Sequence, residues 1–200
     1  MTDSAGTAAT AAEWDAQADT FDDEPDHGLR DPACREAWRR LLTGVLPDAP
    51  ARVADLGCGT GTLSRLLAEA GHTVDGVDLS PRMVDAARAK CAGLPVTAVV
   101  GDAAAPPLAE AAYDVVLARH VLWALPDPAD AVRRWAGLLA PGGRLVLVEG
   151  FWHTGAGLRG EQTLAAVRAH RAEGVLTRLT DPLLWGGPVS DERYLVLSAR

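Results

Sequence analysis

From about residue 50 to residue 150, short apolar runs alternate with longer segments whose apolar residues recur every three or four positions. Short β-branched and aliphatic runs bounded by turn residues predict strands, and the longer period predicts helices. Strands are expected at 53–56, 73–77, 95–100 and 113–118 and over "RLVLVE". Between them, a helix is expected from Thr62 to Ala70, ended by Gly71, a second from the cap Ser80-Pro81 to about Cys91, and a third from Asp127-Pro128 to about Ala140. A helix over 160–173 and two strand-like stretches, "VLTRLT" and "RYLVLSA", complete the chain. Two more helices are expected between Ala12 and Leu46, separated by the acidic "DDEPDHGLRDP", with Asp31 as N-cap and Pro32 in the first turn of the second. The first eleven residues, rich in Ala, Thr, Ser and Gly, are expected to be a disordered tail.

Strands that alternate with helices at this spacing imply an α/β fold built from βαβ units with right-handed crossovers. No internal repeat or dividing linker interrupts it. We expect a single domain over 12–200, comprising a helical N-terminal part (12–48), a core (51–150) and a C-terminal helix with strands (151–200).

The net charge of −8, with eighteen scattered arginines and one lysine, argues against broad binding to nucleic acid or anionic membranes. Cys34, Cys58 and Cys91 have no metal-ligand or redox spacing, so no metal site is expected and a reduced compartment is favoured. The N-terminus is unlike a signal peptide, and no stretch has the roughly 20 apolar residues of a membrane span. The expectation is a cytoplasmic monomer or homodimer.

The chemistry concentrates in "VADLGCGTGTLSRLLAEAGHTVDGVDLS". Gly57, Gly59 and Gly61 make a strand-to-helix turn in which a ligand can approach the backbone. Asp78, at the end of the next strand, suits the carboxylate that accepts hydrogen bonds from ribose hydroxyls. Two features depart from a dinucleotide site. The third glycine comes one position early, and Asp55 would repel a pyrophosphate. Beside a cation, Asp55 would help. S-adenosylmethionine has a ribose, an ammonium and a sulfonium but no phosphate, so it fits two acids better than NAD does.

"VADLGCGTG", "VDGVDLSPRMVDAAR", "GDAAAPPL", "YDVVLARHVLWALPDP" and "LAPGGRLVLVEG" follow one another in the order and spacing of the class I S-adenosylmethionine-dependent methyltransferases, which the chain resembles over roughly residues 50–150. Its outer segments resemble small bacterial methyltransferases of secondary metabolism. The resemblance implies a Rossmann-like seven-stranded sheet of order 3-2-1-4-5-7-6 with the last strand antiparallel, helices on both faces and an N-terminal helical lid. It also implies that Asp55, Gly57, Cys58 and Gly59 meet the methionine end of the cofactor and that Asp78 holds the ribose. Leu79 and Met83 would flank the adenine, Asp102 and Ala103 would meet its amino edge, and the backbone of Arg119 would close over the cofactor.

In an open α/β sheet, ligands sit outside the C-terminal strand ends at the point where strand order reverses. His120 and Trp123 follow the fourth strand there, and Glu149, Trp152 and His153 follow the fifth. His120 is the candidate general base, with shaping of the pocket as the alternative. Trp123, Glu149 and Trp152 are candidate substrate contacts. Trp14, Phe21, His27 and Arg30 are candidate lid contacts, and Trp135 reads as core. The abundance of Trp suggests a flat, aromatic or heteroaromatic small-molecule acceptor. An NAD-dependent oxidoreductase and a non-catalytic cofactor-binding protein are the alternative readings.

Overall fold

The structure, a computed structural model, describes residues 4–199. Seven strands form one sheet: β1 (Arg52–Leu56), β2 (Thr73–Asp78), β3 (Val96–Val100), β4 (Tyr113–Arg119), β5 (Leu139–Phe151), β6 (Val175–Arg178) and β7 (Glu192–Ser198). Their order is β3-β2-β1-β4-β5-β7-β6, with β7 antiparallel to both neighbours and the other pairs parallel. This is the expected order. The helices are α1 (Ser4–Gln17), α2 (Pro25–Gly28), α3 (Pro32–Val45), α4 (Thr62–Glu69), α5 (Pro81–Lys90), α6 (Pro128–Leu138) and α7 (Gly160–Arg168).

Alternation along the strands sorts side chains onto two faces. Val53, Val115, Leu117, Val146 and Val148 pack with α3, α4 and the 3₁₀ turn Pro182–Trp185. Ala54, Leu56, Val116, Ala118, Leu145 and Leu147 pack with α6 and α7. Burial on both faces makes the central strands continuous apolar runs, which is why they were readable.

Three boundaries differ from expectation. From Ser4 onward, the stretch assigned to a disordered tail belongs to α1; its alanines have the highest helix propensity of any residue. Residues 1–3 of that stretch lie outside the described residues. Strand β5 starts at Leu139, because "PGG" is absorbed in a register shift against β4 instead of forming a separate loop. Helix α7 ends at Arg168, five residues early. At α3 the expectation holds: the Asp31 carboxylate accepts from the N–H groups of Ala33 (2.6 Å) and Cys34 (3.2 Å).

Candidate active site

Strand β1 pairs with β2 on one side and β4 on the other, so the strand order reverses between β1 and β4. Leu56 is in register with Ala118, which sets the turn beginning at Gly57 beside Arg119. The N–H groups of Gly57 and Cys58 both bond the Val77 carbonyl, at 2.7 and 3.0 Å. Gly57 has φ +66°, and a β-carbon there would lie 2.3 Å from Val121 Cγ2. Gly61 has φ +79°, and a β-carbon there would lie 2.8 Å from that of Ala87. The first glycine therefore lets the turn pass the β4 loop, and the third lets α4 approach α5.

Asp78 is buried, and its two oxygens accept from the N–H groups of Gly59 (2.8 Å) and Ser80 (2.9 Å). Burial raises its pKa against those hydrogen bonds. Asp55 is buried beneath the turn and accepts from the Ser64 hydroxyl at 2.5 Å. Burial pushes its pKa up to about 6, against the lowering effect of that bond. Among the described residues, neither carboxylate lies within ion-pairing distance of a cationic side chain. Two buried acids outside any ion pair, one of them within reach of the Arg119 charge, suit a ligand that carries positive charge and hydroxyl donors. S-Adenosylmethionine fits this donor set, and a diphosphate does not. Asp55 is turned toward α4, so it would act on such a ligand through its charge.

Farther along this edge, Leu79 is half-buried and Met83 is closed off in the core, leaving Leu79 the more open of that pair. Asp102 accepts from the Ala104 N–H at 2.8 Å, and the Ala103 carbonyl accepts from Trp135 Nε1 at 2.7 Å. Trp135 thus anchors the β3 loop to the core, as its helical spacing implied. Cys58 is buried, and burial raises its thiol well above the ordinary range.

The N-terminal segment lies across the turn. The Phe21 ring stands over Gly59, 3.2 Å from where a β-carbon would be. Thr60 donates to Asp22 at 2.5 Å, and Lys90 Nζ lies 2.7 Å from Asp22, Thr60 and Thr62 alike. Asp15 accepts from the Ser80 hydroxyl and from the Arg82 N–H. Arg119 reaches the segment with its side chain: the guanidinium donates to the Asp26 carbonyl and stands over the Trp38 ring at 5.0 Å. Its expected contribution was through the backbone. Trp14 is half-buried on α1, which packs against α5, away from the β4 end. Arg30 is exposed and pairs with Asp23 at 2.8 Å, so it is not brought to the site.

At the end of β4, His120 has φ +59°, a left-handed conformation costing roughly 1–3 kcal/mol in a non-glycine residue. Three hydrogen bonds hold the bend. The His120 N–H bonds the Val148 carbonyl at 2.9 Å, while Glu149 Oε1 accepts from the N–H groups of Val121 (2.9 Å) and Leu122 (2.7 Å). Glu149 is fully buried, so it braces the loop that carries His120 and does not open onto the sheet edge as expected. Burial pushes its pKa up to about 8.

The His120 ring is enclosed by aromatic groups. It stacks on Trp185 at 6.0 Å and meets Trp152 edgewise at 5.3 Å; Trp123 meets Trp152 at 5.2 Å. His27 stacks on Phe21 at 4.3 Å and lies 6.4 Å from His120. Burial and then the Arg119 charge push both histidines down, His120 well below its ordinary value. The structure therefore brings together Phe21, His27, His120, Trp123 and Trp152. Trp185, Trp38 and Lys90 were missed: their roles depend on partners distant in sequence, and the only signal was the resemblance of "LLWGGPV" to related chains. His153 is exposed, beside a shallow cleft between Trp152 and Arg159.

Residues 54–147 match a family model described as "Methyltransferase domain". An uncharacterized methyltransferase of Mycobacterium tuberculosis is 45% identical over 111 residues, 55% of this chain and 43% of its own length. A ubiquinone biosynthesis O-methyltransferase of Bordetella pertussis is 36% identical over 143 residues, 68% of this chain and 55% of its own length. The chain thus spans about half the length of these curated relatives. A TehB-like SAM-dependent methyltransferase from Corynebacterium glutamicum superposes with a TM-score of 0.66 at 22% identity, covering 98% of both chains. That likeness extends the fold to the whole chain. The strand order, the ordered sequence blocks and these matches together identify residues 54–147 as a methyltransferase domain, in a fold shared with S-adenosylmethionine-dependent methyltransferases.

Proposed function

We propose that the chain transfers a methyl group from S-adenosylmethionine to a small aromatic or heteroaromatic acceptor. One observation carries the proposal. Two buried carboxylates, neither in an ion pair among the described residues, flank a glycine turn at the strand-order reversal. The cofactor supplies a methyl group already activated on a sulfonium.

The chain's own work is then orientation and exclusion of water. Asp78 would take the ribose hydroxyls, and Asp55 would favour the cationic end through its charge. The Phe21 to Gly28 segment would act as a lid over the turn. The aromatic groups around His120 offer flat faces against which a ring can stack, 5–6 Å from one another. His120 Nε2 is buried with no partner among the described residues, so it can accept a hydrogen bond or a proton from the acceptor. The Bordetella relative, an O-methyltransferase, favours an oxygen nucleophile.

Calorimetric titration separates the donor readings. Saturable binding of S-adenosylmethionine without binding of NAD is expected, and binding of NAD alone would overturn the proposal. A panel of small phenols and heteroaromatics with labelled cofactor then tests turnover; transfer to none of them would favour a non-catalytic binding protein. If His120 takes the proton, His120→Ala lowers turnover about 100-fold at unchanged cofactor affinity. A loss under threefold would leave it a wall of the pocket.

A further inference from the structure

Asp26 and His27 of α2 and His120 after β4 each offer one ligand atom, and these three atoms lie within 4.8 Å of one another. His27 Nδ1 and His120 Nε2 are both buried, and neither has a hydrogen-bond partner among the described residues. A buried polar nitrogen without a partner is costly, and His27 also presents its Nε2 to Asp26 Oδ2 at 4.0 Å. We propose that Asp26, His27 and His120 form a binding site for a divalent transition-metal ion, joining the N-terminal segment to the end of β4.

Two imidazoles and one carboxylate are a donor set typical of first-row divalent ions. In a tetrahedral site with metal–ligand distances of about 2.0–2.1 Å, ligand atoms stand roughly 3.3 Å apart. Binding therefore draws in any pair that stands farther apart than this, and with it α2 toward β4. Arg119 and Arg193 both carry positive charge toward His120 and Lys90 lies at Asp22, while Asp22, Asp26 and Asp55 surround Arg119 and Glu24 and Asp26 act on His27. The local balance thus accepts a cation. Three protein ligands leave at least one coordination position open, on the side where an acceptor would sit. If the chain transfers methyl as proposed, a metal there would hold an acceptor oxygen and favour its deprotonated form, taking the place of proton uptake by His120 Nε2.

The site can be tested without turnover. The full-length protein, stripped by chelator, is titrated with Co²⁺ and followed by visible absorption and calorimetry. One equivalent is expected, with d–d bands of a low-symmetry site. His27→Ala and Asp26→Asn are expected to weaken binding at least tenfold, and His120→Asn to do the same. His153→Ala, at an exposed histidine elsewhere, should leave binding unchanged. His27 is partly exposed on a short helix, so its replacement keeps the test valid even if His120→Asn fails to fold. No saturable binding up to about 1 mM, or binding unchanged in His27→Ala and Asp26→Asn, would overturn the proposal. Co²⁺ binding in a protein that fails to bind S-adenosylmethionine would leave the metal site standing and sink the methyltransferase reading.

Discussion

Glu149 shows how one buried group can set a pH dependence for the whole chain. Its ordinary pKa of 4.5 is raised by burial to about 8, so the folded chain holds this proton more tightly than the unfolded one. The stability this contributes is complete below about pH 4.5 and is lost as the pH rises through about 8. Asp55, raised from 3.8 to about 6, acts with the same sign lower in the window. Glu149→Gln retains an oxygen for the Val121 and Leu122 N–H groups and removes the titration. Its melting temperature should match the parent's near pH 5 and exceed it near pH 9; parallel pH profiles would show that Glu149 does not titrate there. At Asp78 the charge itself is at stake. Asp78→Asn keeps one acceptor for the turn but loses a charge-assisted contact worth ~1.5–3 kcal/mol. S-Adenosylmethionine should bind at least tenfold more weakly by calorimetry, and unchanged affinity would remove Asp78 from the site.

At the scale of elements, the N-terminal segment is attached to the core by a few polar contacts. Lys90 Nζ, Asp22, Thr60 and Thr62 form a half-buried cluster at 2.5–2.7 Å, and Asp15 caps the start of α5 through Ser80. Partial burial makes such bonds worth more than a surface ion pair, on the order of 1–3 kcal/mol. Lys90→Met should therefore raise amide exchange at least fivefold across residues 15–30 while leaving β1 and β4 protected. Equal acceleration in both regions would mean that the cluster supports the core and not the segment. None of this cluster was legible in the sequence, because Asp22, Thr60 and Lys90 meet only after folding. The same holds for Trp185 against His120, and for Glu149, whose position at a strand end reads as exposed. The strands, the glycine turn and the cap at Asp31 were legible because each is decided by neighbours within a few positions. The Ala-rich start of α1 reads as tail by its composition, while the helix propensity of its alanines decides for helix.

Across the whole molecule, the sheet divides the chain into parts that differ in what they stabilise. The described buried apolar residues begin at Leu29, so α1 and the Phe21 turn contribute little to the core. The C-terminal strands do the opposite. Strand β7 pairs with β5 from Leu145 to Phe151, and Tyr194, Leu195 and Val196 are buried with at most 2% exposure. Leu195 lies with the α3 and α4 face and Tyr194 and Val196 with the α6 and α7 face, so this strand closes both layers. Removing residues 175–200 uncovers the β5 edge and both faces beside it, which invites edge-to-edge association. That truncation should abolish the cooperative thermal transition and drive aggregation. Deleting residues 1–19 should leave the transition cooperative and lower its midpoint by only a few degrees, while weakening S-adenosylmethionine binding through loss of Asp15 at Ser80. If the shorter N-terminal deletion also destroys the transition, the N-terminal segment is part of the folding core, and its role as a separable cover over the site is wrong.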